Sequence, residues 1–193
     1  MIFLPLIMET CAGNSCLRAE LPLMPIDLLV PLYSLPPREE GAASVRDSGV
    51  VIRRANPFEL TRVREFICRH FAQSWADEVG STFARQPLPC FLALEEGRIV
   101  GFAAYDATRK AFFGPTGVDA AVRGRGIGRA LLVEALWGLH DLGYAYGIIG
   151  AAGPVAFYEK AVGARPIEGS WPGIFADLLQ KNVPEESRPT ENS

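Results

Sequence analysis

The chain has 193 residues, of which 49% are hydrophobic and 21% charged, with a formal net charge of −3. That length and balance fit one globular domain with extensions, and they exclude a large modular protein or a chain disordered throughout. The small negative charge removes the basic face that phosphate neutralisation requires, so no nucleic-acid partner is expected.

The apolar segment from Met1 to Met8 lacks a basic flank, is broken by Pro5 and stops at Glu9, so it does not read as a signal peptide. No stretch approaches the roughly 18 apolar residues of a membrane-spanning helix, and no membrane partner is expected. Cys11, Cys16, Cys68 and Cys90 have no C-x-x-C spacing and only His70 and His140 to join them. Neither a zinc site nor a disulfide framework follows; no metal is expected, and the compartment reads as reducing and cytoplasmic.

Six of the fifteen prolines fall in residues 1–50, which predicts extended or loose structure there. Within it, Ile26 to Leu35 is too apolar for a solvated linker and is expected to pack, on the main domain or on a second copy of the chain in a homodimer. Glu39 to Ser48 reads as a polar linker. Residues 1–49 are therefore taken as extension and linker, 50–180 as the folded domain, and 181–193 as a polar, frayed tail.

From residue 50 the hydrophobic period alternates between two and 3.6. Val50 to Arg54 predicts a strand. Asn56 and Pro57 open a helix carrying Leu60, Val63, Phe66, Ile67 and Phe71, and a second helix covers Ser74 to Arg85. Cys90 to Leu94 and Ile99 to Tyr105 form a hairpin about Glu95-Glu96-Gly97-Arg98. The next strand, near Lys110 to Val118, contains Gly114, Pro115 and Gly117, which predicts a bulge or a splay. A helix from about Ile127 to Leu142, a strand over Tyr144 to Gly150, a helix from Pro154 through Val162 and an extended segment at Arg165 to Glu168 complete an α+β domain.

The most informative stretch is Arg123-Gly124-Arg125-Gly126-Ile127-Gly128 between a strand and a long helix. Such a turn gathers unpaired N–H groups and the positive end of a helix dipole around one point, which suits an anion. It is not a Walker A loop, since no Lys-Ser/Thr follows, and its G-x-G-x-G spacing is not the dinucleotide pattern. Arg109, Lys110, Arg123, Arg125 and Arg129 crowd the same region; Arg109 and Lys110 read as solvated charges.

The R-x-x-G-x-G pattern, with Arg-Ala-Leu-Leu after it and a strand ending at Val118 before it, resembles the acetyl-CoA signature of the GNAT family of N-acetyltransferases. The similarity runs over the element order from about residue 50 to 179. It implies a mixed, mostly antiparallel central sheet of six or seven strands with about four helices, in three α/β/α layers. It also implies acetyl-CoA as co-substrate, with Val118, Ala120, Arg123, Gly124, Arg125, Gly126, Ile127, Gly128 and Arg129 as cofactor contacts.

A second segment, Gly153 to Ala164 with its Phe157-Tyr158-Glu159-Lys160 core, also looks like that family's. It implies that Tyr158 is the general acid. A phenol with a pKa of about 10 stays protonated at neutral pH and can protonate a departing thiolate. The family often places an asparagine seven positions before that tyrosine, where this chain has Ala151.

An attacking amine must lose a proton, and Asp77, Glu78, Asp106, Asp119 and His70 are the groups considered; none is assigned as base. Oxyanion polarisation is expected from a main-chain N–H within Gly114 to Gly117. Trp75, Tyr105, Phe112, Phe113 and Trp171 are candidates for an aromatic acceptor pocket. The resulting expectation is acetyl transfer from acetyl-CoA to a primary amine of a small molecule or peptide. The alternative is a catalytically silent acyl-CoA-binding module of the same fold.

Overall fold

Regular alternation of short apolar strands with amphipathic helices builds a seven-stranded sheet in the computed structural model, which describes residues 25–179. The segment Met1 to Met8, Cys11, Cys16 and the tail at 181–193 lie outside the described residues. The strands are β1 (Ile26–Pro31), β2 (Val50–Arg54), β3 (Cys90–Glu95), β4 (Arg98–Tyr105), β5 (Phe112–Val118), β6 (Tyr146–Ala152) and β7 (Arg165–Pro166). Their order is β2-β3-β4-β5-β6-β1-β7, and every neighbouring pair is antiparallel except the parallel β5 and β6. The helices are α1 (Arg38–Arg46), α2 (Leu60–His70), α3 (Gln73–Gly80), α4 (Ile127–Asp141) and α5 (Val155–Val162). This is the mixed, mostly antiparallel layered sheet expected.

Local signals explain most boundaries. Asn56 and Glu59 close a capping box ahead of α2, with Pro57 in the first turn. Glu96 and Gly97 take left-handed φ values of 48° and 75°, as a two-residue turn between β3 and β4 requires. The register between β4 and β5 slips between Ala103 and Tyr105, opposite the Gly-Pro segment, so the predicted irregularity is present.

Each face of the sheet has its own core. On one, α2 and α3 bring Val63, Phe66, Ile67, Ala76 and Val79 against Leu92, Phe102 and Ala104. On the other, α4 and α5 cover Leu28, Val30, Ala103, Tyr105, Phe113 and Ile149. Burying each large side chain there contributes about 1.5–3 kcal/mol.

Two readings of the first 50 residues need correction. The sheet takes in Ile26–Pro31 as an interior strand between β6 and β7, so the folded unit begins before residue 50, and the apolar run packs within its own chain. Residues 39–48 are not a linker, because Arg38–Arg46 is helical. The reason lies in α4, which buries Leu132 and Val133 as well as Leu131, Ala135 and Leu139 and so needs a cover beyond the sheet. Helix α1 is that cover: a Cβ at Gly41 would sit 3.4 Å from Val133, and Val45 is fully buried. Arg38 pins the contact by donating to Glu134 (3.0 Å) and Asp141 (3.1 Å) of α4.

Candidate active site

Strands β5 and β6 pair at only two positions, Phe112 with Ile148 and Phe113 with Ile149, and then part. Beyond that point β5 runs through Gly114-Pro115-Thr116-Gly117-Val118 on one flank and β6 through Gly150-Ala151-Ala152 on the other. Proline has no N–H to donate to a ladder, which suits a strand that must leave its neighbour. The splay opens toward the turn at residues 123–128 and the start of α4.

There the chain forms a cleft of about 480 Å³ lined by Val118, Arg123, Gly124, Gly126, Ile127, Gly128, Arg129, Pro154 and Phe157. Gly124 and Gly126 have φ of 81° and 79°, the left-handed region where a side chain is strained. The first main-chain bond of α4 is Ala130 N–H to Gly126 C=O, and the N–H groups of Gly126 through Arg129 donate to no acceptor among the described residues. These donors, the helix dipole and the Arg123 and Arg129 side chains converge on one opening. Such an arrangement accepts a multiply charged anion such as a pyrophosphate.

Most of the cofactor residues expected from sequence line this cleft, but two do not. Ala120 lies exposed in a 3-10 turn over Ala120–Val122, which Asp119 caps by accepting the Ala121 N–H. Arg125 turns away, donating through Nη2 to Glu95 Oε1 (2.7 Å) and to the Ser48 carbonyl (2.9 Å). That ion pair holds the Glu95 carboxyl below its usual pKa range. Arg109 and Lys110 lie outside the cleft: Arg109 donates to the Thr108 carbonyl and Lys110 to Asp106.

Tyr158 packs near the apex of the splay, its ring edge-on to Phe113 (6.4 Å between centroids) and to Phe157 (5.1 Å). The residue is 8% exposed, and its hydroxyl makes no hydrogen bond among the described residues. Burial raises its pKa above the usual 10.0, so the phenol is held protonated.

The groups considered as base are mostly engaged elsewhere. Asp106 is buried and accepts from Lys110, the Ala111 N–H and Tyr144, which makes it the keystone of a turn. Asp77 pairs with Arg64, and Glu78 with the Thr108 hydroxyl. His70 stacks on Phe66 and places Nδ1 3.7 Å from Asp119 Oδ1. The aromatic pocket does not form as expected. Tyr105 and Phe113 belong to the core under α4 and α5, and Tyr105 is locked by Arg54 at 2.6 Å. Trp75, Phe112 and Trp171 remain half-buried, with Trp75 stacked on Phe71, whose ring occupies the space a Cβ at Gly117 would need.

Three features were not anticipated. Pro154 and Phe157, one turn apart at the start of α5, form a wall of the cleft, and the i,i+3 spacing carries that signal. Asp27 accepts the Ala151 N–H at 2.7 Å, on the β6 flank of the splay, where Ala151 has φ of 45°. Glu95 and Ser48 hold Arg125. Asp27 was visible only as a lone carboxylate in an apolar run; the Glu95 contact had no sequence signal. Among the described residues no group of three or more His, Cys, Asp or Glu is placed to hold a metal, and no helix is long and apolar enough to cross a membrane.

Residues 86–161 match the family model of the acetyltransferase (GNAT) domain. No curated protein matches the sequence. The fold resembles the glucosamine N-acetyltransferase region of a fungal multi-domain GH3 beta-N-acetylglucosaminidase, with a TM-score of 0.62 and 17% identity, over 76% of this chain and 20% of that one. It also resembles a GCN5-related N-acetyltransferase from Sphaerobacter thermophilus, with a TM-score of 0.57 and 24% identity, over 74% of this chain and 49% of that one. This chain thus spans about a fifth and about half of the length of those two proteins.

Proposed function

We propose that this chain, an acyltransferase of the GNAT fold, transfers an acetyl group from acetyl-CoA directly to a primary amine. The observation that carries the reading is the run of unpartnered N–H groups from Gly126 to Arg129 at the mouth of a splay between two parallel strands. Coenzyme A fits it in chemistry: a pyrophosphate for the amides, and a slender arm for the gap beside β5.

Bound there, acetyl-CoA supplies an activated thioester that a neutral amine attacks, with a thiol as the leaving group. The chain's own residues have three tasks. The turn and Arg123 and Arg129 bind and orient the anion. On the splayed β5 the Thr116 N–H is the donor offered to an acyl oxygen, since the register set by the Asp119 N–H to Val100 bond turns the Gly117 N–H into the β4 ladder and Pro115 has none. Tyr158 holds its proton through the physiological range and gives it to the departing sulfur.

The test combines binding with turnover. Calorimetry with coenzyme A on the full chain should give saturable binding that Gly126→Glu abolishes, because a carboxylate would then stand in the anion's place. Thiol release from acetyl-CoA in the presence of pooled primary amines should identify an acceptor. Undiminished coenzyme A binding by Gly126→Glu would refute the site. Tight binding with no thiol release by any amine pool would favour a silent binding module.

A further inference from the structure

The turn at residues 123–128 has almost nothing of its own to hold it. Arg123, Gly124 and Gly126 are exposed, a Cβ at Gly124 would meet no atom within 4 Å, and the main-chain N–H groups from Gly126 onward to Arg129 have no acceptors. A loop in that condition would have to be ordered by its ligand, and the ordering would be subtracted from affinity. Yet the turn has a defined shape, and the anchors that reach it from elsewhere are few. Arg123 Nε donates back to the Val118 carbonyl at 3.2 Å, and Arg125 reaches across to the β3 end and the α1–β2 connection. Arg125 stands between two left-handed glycines, which turn its side chain out of the cleft and toward Glu95.

We propose that Arg125 is a positioning residue: its guanidinium, clasped by the Glu95 carboxylate and the Ser48 carbonyl, fixes the turn in its anion-receiving shape without touching the anion. The inference rests on the coenzyme A reading given above, and it reverses the role that the motif alone suggests for this arginine. It also gives α1 and β3 a part in the site, since both bring up the acceptors that hold the clasp.

The sign of one substitution separates this role from direct contact. Glu95→Ala removes a negative charge close to a site for a polyanion. If Arg125 were free to reach the phosphates, that change would release it and tighten coenzyme A binding. The clasp requires the opposite: Kd for coenzyme A, by calorimetry, should rise roughly three- to tenfold, the order expected when a loop must be ordered on binding. Arg125→Ala should weaken binding by a similar factor, and the double variant Glu95→Ala/Arg125→Ala should be no weaker than Arg125→Ala alone. Thermal unfolding checks that each variant is folded. Amide hydrogen exchange of the ligand-free protein reads the clasp without any ligand: exchange at residues 123–129 should quicken in Glu95→Ala. Unchanged exchange, or coenzyme A binding equal to or tighter than wild type, overturns the proposal. A wild-type chain that fails to bind coenzyme A, with exchange still quickened by Glu95→Ala, would instead refute the function and keep the clasp.

Discussion

Replacing Tyr158 with phenylalanine isolates one atom. The ring keeps its contacts with Phe113 and Phe157, and the lost hydroxyl has no hydrogen-bond partner among the described residues. Stability should therefore change by no more than about 0.5 kcal/mol, since no paired group is orphaned. Turnover should behave quite differently. Loss of a general acid lowers the rate by about 10²–10⁴, which is roughly 2.7–5.5 kcal/mol of transition-state stabilisation at 1.36 kcal/mol per decade. Coenzyme A affinity should hold, because Tyr158 is not among the residues that line the cleft beside the turn.

The control is Tyr105→Phe, on the same face of the sheet, its ring stacked on Phe91 in the core. Its hydroxyl bonds the Arg54 guanidinium at 2.6 Å, so its removal should cost about 1.5–3 kcal/mol of stability with kcat intact. Urea unfolding and steady-state thiol release, run on both variants, give the crossed pattern directly. The pH profile adds a sign: since burial raises the Tyr158 pKa above 10.0, the acid form persists across the neutral range, and the alkaline fall of kcat should begin only above that value. Equal loss of stability in the two variants, or an unchanged kcat in Tyr158→Phe, would refute the general-acid argument.

Asp27→Ala leaves the Ala151 N–H without its acceptor at a residue already in the left-handed region, and should cost about 1–3 kcal/mol by urea unfolding while weakening coenzyme A binding. The acid limb of stability should carry the signature of Glu59, which its bond to Arg53 holds down to about 2. Because the unfolded chain protonates this carboxyl first, near its usual 4.5, stability contributed by the pair is present above that pH and lost as pH falls toward 2. The Arg53 side chain is 36% exposed, so the effect should be about 1 kcal/mol, read as a flatter acid limb in Glu59→Gln.

What the residues announced and what they concealed follow the range of the interactions. The turn, its glycines, the helix after it and the Asn56–Glu59 cap are set by neighbours in sequence, so spacing revealed them. The Pro115 region disclosed the splay because a missing N–H is a property of one residue. Helix α1 was hidden: Arg38-Glu39-Glu40-Gly41 looks like linker until α4 is seen to need covering on a second side. The anchoring of Arg125 was concealed for the same reason, since Glu95 and Ser48 reach it from 30 and 77 positions away.

Strand β1 shows how those long-range choices serve the site. Leu28 and Val30, fully buried, lay one of its faces into the core under α4, while Asp27, one position out of phase, accepts the N–H of Ala151. Period two makes both possible in a single strand. The register shift between Ile26 and Leu28 lets the carboxylate reach β6 without breaking the ladder on either side. At the residue where the resemblance leads one to expect an asparagine, this chain has a bare methyl group and a backbone held from behind. Asp27 thereby gives the β6 flank of the splay a fixed edge at Ala151. An N-terminal strand provides that edge, which is why the folded unit has to begin at least at residue 26.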